Sequence, residues 1–146
     1  MPAPYIATRR VEFRDTDAAG IMHFSAYFAH MEAAEHELLR SLGLSVVMRD
    51  EQGTISFPRV AASCDYSGAA RFEELLDIEV RIERIGEKSV TYAFRFTRND
   101  QEIAAGKMTS VCCRFDGHAA PPRSIPIPPQ IADKLKTLAD SDSIVV

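Results

Sequence analysis

Two carboxylates, a glycine and a histidine are gathered in one short run, Asp15-Thr16-Asp17-Ala18-Ala19-Gly20-Ile21-Met22-His23, with Phe24 directly after it. The run joins an alternating, strand-like segment to the longest helical pattern in the chain. A carboxylate just ahead of a helix start lies beside backbone amides that carry partial positive charge and have no partner within the helix. Such amides can polarise a carbonyl oxygen. An ester or thioester held there would have its electrophilic carbon within reach of Asp17, acting as nucleophile or as base for water. His23, at the same helix start, could bind substrate or shuttle protons. The competing reading is that Asp15 and Asp17 cap a turn.

Metal chemistry fits less well. The acids and Gly20 superficially suggest a calcium loop beginning at Asp15, but its fifth position is Ala19 and its twelfth is Ala26, where a bidentate Glu is needed. His23, His30 and His36 lack HExxH spacing, and no cysteine pair is arranged as CxxC. Neither a metal nor a separate cofactor is expected.

The elements that would position this run follow from periodicity. Residues Tyr5 to Phe13 alternate as a strand, with Tyr5, Ala7, Val11 and Phe13 on one face. From about Ser25 to Leu42 the period becomes helical: Phe24, Tyr27, Phe28, Met31, Leu38, Leu39 and Leu42 share a face, with Ser25 as N-cap and Gly43 as the stop. Glu35 falls near the middle of that apolar arc, Glu32 toward its edge and Arg40 opposite. A buried carboxylate is costly unless paired, so Glu35 has a partner, lines a cavity, or marks where the helix leaves the core.

Residues 44–54 read as a connection with room for one helical turn. Strands are predicted at Ile55 to Tyr66, interrupted by Pro58, at Leu75 to Ile85, at Ser89 to Thr97 and at Glu102 to Phe115, where Gly106 marks a bulge or a close approach. After a proline-rich stretch, Ile131 to Leu138 forms a short helix and 140–146 a loose tail. The sum is an α+β domain spanning 1–146, with its core over about 5–139: a five-stranded antiparallel sheet wrapped around one long helix, plus a short C-terminal helix. The uncovered side or edge of such a sheet predicts a homodimer.

Composition narrows the partners. The 146 residues are 46% hydrophobic, enough for one core and too few for two ordinary domains. A formal charge of -4 with dispersed Lys and Arg argues against nucleic acid. No apolar run suits a signal peptide or a membrane span, and Cys64, Cys112 and Cys113 do not suggest a disulfide framework, so a reducing cytoplasm is expected.

The residues also carry a resemblance. The run from Val11 through Phe28, continued by Met31-Glu32-Ala33-Ala34, resembles the signature of the 4-hydroxybenzoyl-CoA thioesterase branch of the hotdog-fold superfamily. The likeness extends more weakly through Tyr66-Ser67-Gly68-Ala69-Ala70-Arg71 and covers about Thr8 to Pro129. It implies a hotdog fold, active sites at a dimer interface, a tetramer as a dimer of dimers in some arrangements, and acyl thioesters of coenzyme A or acyl carrier protein as substrates, coenzyme A being part of the substrate. Asp17 occupies the position of the family's catalytic carboxylate, and the carbonyl-polarising amide corresponds to His23 or Phe24.

Phe24 stands where many relatives have histidine, Ala26 where they have Asn, and Ala69 where they have Pro. Tyr27 and Tyr66, with Phe24 and Phe28, suit an apolar or aromatic substrate pocket and would serve equally as core. Glu32 and Glu35 are further candidate substrate contacts on the helix. Of the basic cluster that some relatives use for the nucleotide phosphates, Lys88 remains, with Arg59 and Arg71 as substitutes. The resemblance therefore implies an acyl-CoA thioesterase. A dehydratase or hydratase using His30, His36 and Glu35, or a non-catalytic acyl-thioester binding module, are the other readings.

Overall fold

The computed structural model describes residues 2–117 and 119–145. Its elements follow the predicted alternation closely where the pattern is strong. Strand β1 spans Tyr5–Arg10, helix α1 Ala26–Ser41, strands β2 and β3 Val47–Asp50 and Gly53–Ser56, and β4 Arg59–Tyr66. Strands β5 (Leu75–Ile85), β6 (Ser89–Arg98) and β7 (Gln101–Val111) follow as a meander, then β8 (Cys113–Phe115), β9 (Arg123–Ser124) and helix α2 (Pro129–Lys136). The main sheet is antiparallel with order β1-β5-β6-β7-β4.

Alternation decides which face is covered. Ile78, Val80 and Ile82 of β5, and Val90, Tyr92, Phe94 and Phe96 of β6, are all buried, as are Met31, Ala34, Leu38 and Leu39 on α1. The helix lies close on β7 because position 106 is glycine: a Cβ there would stand 2.5 Å from Met31 Sδ and 2.8 Å from the Ser63 carbonyl oxygen. The close approach predicted at Gly106 is thus the seat of the helix on the sheet.

Three expectations need correction. Residues 44–54 are not a plain connection: β2 and β3 form a hairpin, Val47 opposite Ser56 and Asp50 opposite Gly53. The two longest predicted strands each break into two, and the pieces belong to different sheets. Pro58, which has no N–H to donate, separates β3 from β4, and Cys112 separates β7 from β8. Since β4 pairs with β7 and β3 with β8, one bent ribbon runs from the five-stranded sheet into a four-stranded sheet of order β2-β3-β8-β9. At the bend the Val111 N–H donates to the Pro58 carbonyl at 3.0 Å.

The third correction is the tail. Residues 140–145 include a 3-10 turn at Ser141–Ser143, Ile144 bridges to Ile85, and the Val145 N–H donates to the Ile85 carbonyl at 2.8 Å. Val146 lies outside the described residues. Among the described residues, no helix is long and apolar enough to cross a membrane.

Strand β4 forms one edge of the main sheet, and most of its residues are exposed, Val60 included. Its first residue, Arg59, is the partner of Glu35. The Glu35 carboxylate is 1% exposed and meets the Arg59 guanidinium in a two-pronged pair, both N···O distances 3.0 Å. Arg59 also donates to the buried Ser110 hydroxyl at 2.9 Å. The acid in the middle of the apolar arc is therefore paired and hydrogen-bonded, which is what its burial requires.

Candidate active site

The Asp15 to Phe24 run is built outward from the end of β1. Val11 is buried and holds the chain to the segment before β5 through two backbone bonds, its N–H to Glu74 O at 2.8 Å and its carbonyl from Glu73 N–H at 2.9 Å. A 3-10 turn at Phe13–Asp15 follows, closed by a reciprocal cap in which the Asp15 carboxylate accepts the Glu12 N–H and the Glu12 carboxylate accepts the Asp15 N–H. Residues 16–22 then make a tight loop. Thr16 bridges to Met22, the Asp17 N–H donates to Ile21 O at 2.9 Å, and Gly20 N–H donates to Asp17 O at 2.9 Å. Gly20 has φ +80, a conformation L side chains rarely adopt, which explains glycine at that turn.

Asp17 sits half-buried in this loop. Its Oδ1 accepts the Ala19 N–H at 2.9 Å, so the turn-capping reading holds for one oxygen. Its Oδ2 accepts no hydrogen bond among the described residues and stays available for chemistry.

Asp15 does different work. Its Oδ2 lies 2.9 Å from His30 Nε2 on α1 and also takes the Glu12 N–H at 2.8 Å, while its carbonyl accepts the His23 N–H at 2.7 Å. This removes one of the two amides considered for polarising a carbonyl. The His23 N–H is engaged. The Phe24 N–H has no acceptor among the described residues, and Phe24 is 63% exposed at the helix start. Of the two amides named from the sequence, that of Phe24 is the uncommitted one among the described residues.

The His23 ring faces the helix, with no hydrogen bond to Asp17 among the described residues. Its Nδ1 is 2.7 Å from Ser25 Oγ and accepts the Ser25 N–H at 3.2 Å, so in the neutral ring the proton sits on Nε2. Ser25 accordingly makes no side-chain cap to α1. The His23 ring tilts against Phe24 at a centroid distance of 4.4 Å.

Tyr66 and Tyr27 converge on the same place. The Tyr66 hydroxyl donates to the Phe24 carbonyl at 2.7 Å, tying the edge strand to the helix start. Tyr27 is buried, edge-on to Tyr66 at 5.0 Å and to Phe96 at 5.1 Å. Burial pushes the Tyr66 phenol up to about 12, so it remains a donor at neutral pH.

Glu32, Glu35 and Lys88 are not brought to this centre. Glu35 lies eleven residues along α1 from Phe24, roughly 16 Å at the helical rise, with its oxygens on Arg59. Glu32 is exposed, 3.5 Å from Arg59 Nη2. Lys88 is exposed in the β5–β6 turn, at the opposite end of β6 from the residues beside the loop. The groups named for the hydratase reading are engaged with other partners, His30 with Asp15, Glu35 with Arg59, and His36, whose Nε2 lies 3.7 Å from Glu35 Oε1.

Arg71 is better placed for a charged substrate. A Cβ at Gly20 would stand 3.9 Å from its Nη1, so this exposed guanidinium lies across the loop that carries Asp17. Sequence reasoning missed the Asp15–His30 contact altogether, since nothing local links a turn acid to a residue on the second turn of the helix. Among the described residues no group of His, Cys, Asp and Glu could hold a metal ion.

Comparison with known proteins identifies the family of the chain. A sequence model of the thioesterase-like superfamily matches residues 11–135. A 1,4-dihydroxy-2-naphthoyl-CoA hydrolase of Synechococcus sp. (strain CC9605) is 31% identical over 75% of this chain and 77% of its own length. The acyl-CoA thioesterase YbgC of Haemophilus influenzae is 26% identical over 70% of this chain and 76% of its own. Among solved structures, a gentisyl-coenzyme A thioesterase superposes with a TM-score of 0.76 at 28% identity, covering 89% of this chain and 98% of that one.

Proposed function

Since this chain belongs to the thioesterase-like superfamily of hotdog folds, a family of hydrolases acting on thioester bonds, we propose that it hydrolyses an acyl-coenzyme A thioester at the junction of the Asp17 loop and α1. One observation carries the reading: an uncommitted carboxylate oxygen, Asp17 Oδ2, and an uncommitted amide, Phe24 N–H, belong to the same loop and helix start. The thioester carbonyl oxygen takes a hydrogen bond from the Phe24 amide, helped by the positive end of α1, and the negative charge that develops on it is stabilised there.

Asp17 drives the cleavage by one of two routes. As general base it takes a proton from water, the hydroxide adds to the carbon, and the carbon–sulfur bond breaks. The coenzyme A thiolate leaves and receives a proton, and the acid is released. As nucleophile its oxygen forms an anhydride with the acyl group and expels the same thiolate, and water then cleaves the anhydride. The engaged Nδ1 of His23 supports a binding or orienting role more than proton transfer to Asp17. Arg71 is the side chain best placed for a substrate phosphate.

The assembly proposed with this reading is a homodimer in which two copies of β4 pair edge to edge about a two-fold axis. The length and exposure of that strand support it.

The test is thiol release from benzoyl-CoA, hexanoyl-CoA and an acyl carrier protein thioester by the wild type, Asp17→Asn and His23→Ala. Asp17→Asn is expected to lose on the order of 1,000-fold in kcat, the scale of a general base, and His23→Ala distinctly less. A wild type that releases thiol no faster than Asp17→Asn on every substrate overturns the proposal. Label left in the Asp17 carboxylate after a single turnover in oxygen-18 water identifies the nucleophilic route, whereas label only in the released acid fits either the general-base route or water attack on the anhydride at its acyl carbon.

A further inference from the structure

One buried titratable side chain takes no part in the chemistry proposed above. His30, on the second turn of α1, is 5% exposed, with Nε2 2.9 Å from Asp15 Oδ2 and Nδ1 without any partner among the described residues. Asp15 Oδ2 already accepts the Glu12 N–H, so it is an acceptor and His30 Nε2 donates to it. The ring therefore keeps one nitrogen satisfied and leaves the other buried and bare. An apolar side chain of similar volume would leave no polar atom unpaired, so packing by itself does not account for an imidazole at this position.

What the contact holds explains it better. Asp15 is bonded to both flanks of the Asp17 loop, through its carboxylate to Glu12 N–H on the entering side and through its carbonyl to His23 N–H on the leaving side. His30 is the link from that node to the rigid helix. While Asp15 is held against α1, its carbonyl occupies the His23 amide. The Phe24 amide is then the one left without an acceptor among the described residues.

We infer that His30 is a positioning residue for thioester hydrolysis: its Nε2–H bond to Asp15 fixes the Asp17 loop on α1 and selects the Phe24 amide as the carbonyl-polarising donor. The inference rests on the thioesterase reading and adds a residue to it. Without the bond, Asp15 keeps its backbone contacts to the turn, but the loop is no longer pinned to the helix. Asp17 and the Phe24 amide then lose their fixed separation, and a displacement of about 1 Å between reacting groups costs on the order of 100-fold.

The experiment compares wild type, Asp17→Asn, His30→Phe, His30→Gln and Asp15→Asn for kcat and KM on the acyl-CoA that the wild type turns over fastest, with melting temperature measured alongside. His30→Phe fills the same space without a donor and is expected to lose about 100-fold in kcat with KM changed little. His30→Gln returns an N–H donor toward Asp15 and is expected to recover most of that loss. If the wild type turns over no acyl-CoA, the thioesterase reading fails; if Asp17→Asn turns over as fast as the wild type, the role of Asp17, and with it this inference, fails. If Asp17→Asn is inactive while His30→Phe stays within threefold of wild type in kcat, or if His30→Gln is as slow as a folded His30→Phe, the positioning role fails and the reading survives. Should His30→Phe not fold, Asp15→Asn weakens the same bond from the other side without changing volume, and a kcat within threefold of wild type there refutes the inference equally.

Discussion

Replacing Arg59 by Met should destabilise the protein far more than loss of an ordinary salt bridge. The Glu35 carboxylate is 1% exposed and both its oxygens face Arg59 nitrogens at 3.0 Å, so removing the cation strands a buried charge. Stranding one member of a buried pair costs about 3–5 kcal/mol. For a domain of this size each kcal/mol moves the melting temperature by roughly 3 °C, so a fall of about 10–15 °C is expected.

Arg59→Met combined with Glu35→Leu should regain most of the loss, because an apolar pair of matched volume carries no desolvation cost. Glu35→Leu alone should cost less than Arg59→Met, since Arg59 reaches the surface and has Glu32 3.5 Å away. Urea unfolding of the four proteins at one concentration closes a double-mutant cycle, the fixed concentration mattering because β4 is the proposed dimer edge. A loss below about 1 kcal/mol in Arg59→Met, the scale of an exposed pair, or strictly additive single losses, refutes the reasoning.

Other perturbations test other parts of the structure. Gly106→Ala places a methyl against Met31 Sδ and the Ser63 carbonyl and should cost about 1–3 kcal/mol through overpacking; a melting temperature equal to wild type would contradict the close seat of α1. Hydrogen bonds from Arg114 hold the Asp50 carboxyl down at about 2, against an ordinary value of 3.8. That stabilisation is present above about pH 4 and is lost as pH falls toward 2, so Asp50→Asn should flatten the acid limb of the stability curve over that window. Burial raises all four phenols, Tyr5, Tyr27, Tyr66 and Tyr92. Phenolate absorbance of the native protein should therefore rise only above pH 10, whereas the guanidinium-unfolded chain titrates near 10; the stability these neutral phenols give is whole below pH 10 and declines as pH climbs through their folded values.

The strongest local patterns were legible in the sequence. The unbroken alternation of Val90, Tyr92, Phe94 and Phe96 produced β6, and the helical stripe from Phe24 to Leu42 produced α1 within a residue or two at each end. The failures share one cause, which is that the deciding partner is remote. Ile55 to Tyr66 reads as one interrupted strand because nothing local says that its halves pair with β8 and β7 in different sheets. Glu35 announced that it needed a partner, but Arg59 lies 24 residues away. In the candidate site the carboxylate of Asp17 was visible as a residue type, whereas the choice between the His23 and Phe24 amides was not. What differs between the two amides is that the His23 N–H is taken by the carbonyl of Asp15, and a backbone acceptor leaves no mark in side-chain chemistry.

The bent ribbon bears on how the protein assembles. Strands β5, β6 and β7 are joined by tight turns and can meet early, since closing short loops costs little entropy. Strand β4 must close a much longer loop to reach β7, and only when it has done so are β3 and β8 brought together beyond Pro58 and Cys112. By the same argument the β2–β3 hairpin can form early, whereas its junction with β8 arrives late and depends on the main sheet. Amides at that junction should exchange with solvent through openings that leave the β5–β6–β7 meander intact, and substitutions there should speed unfolding while leaving the refolding rate almost untouched.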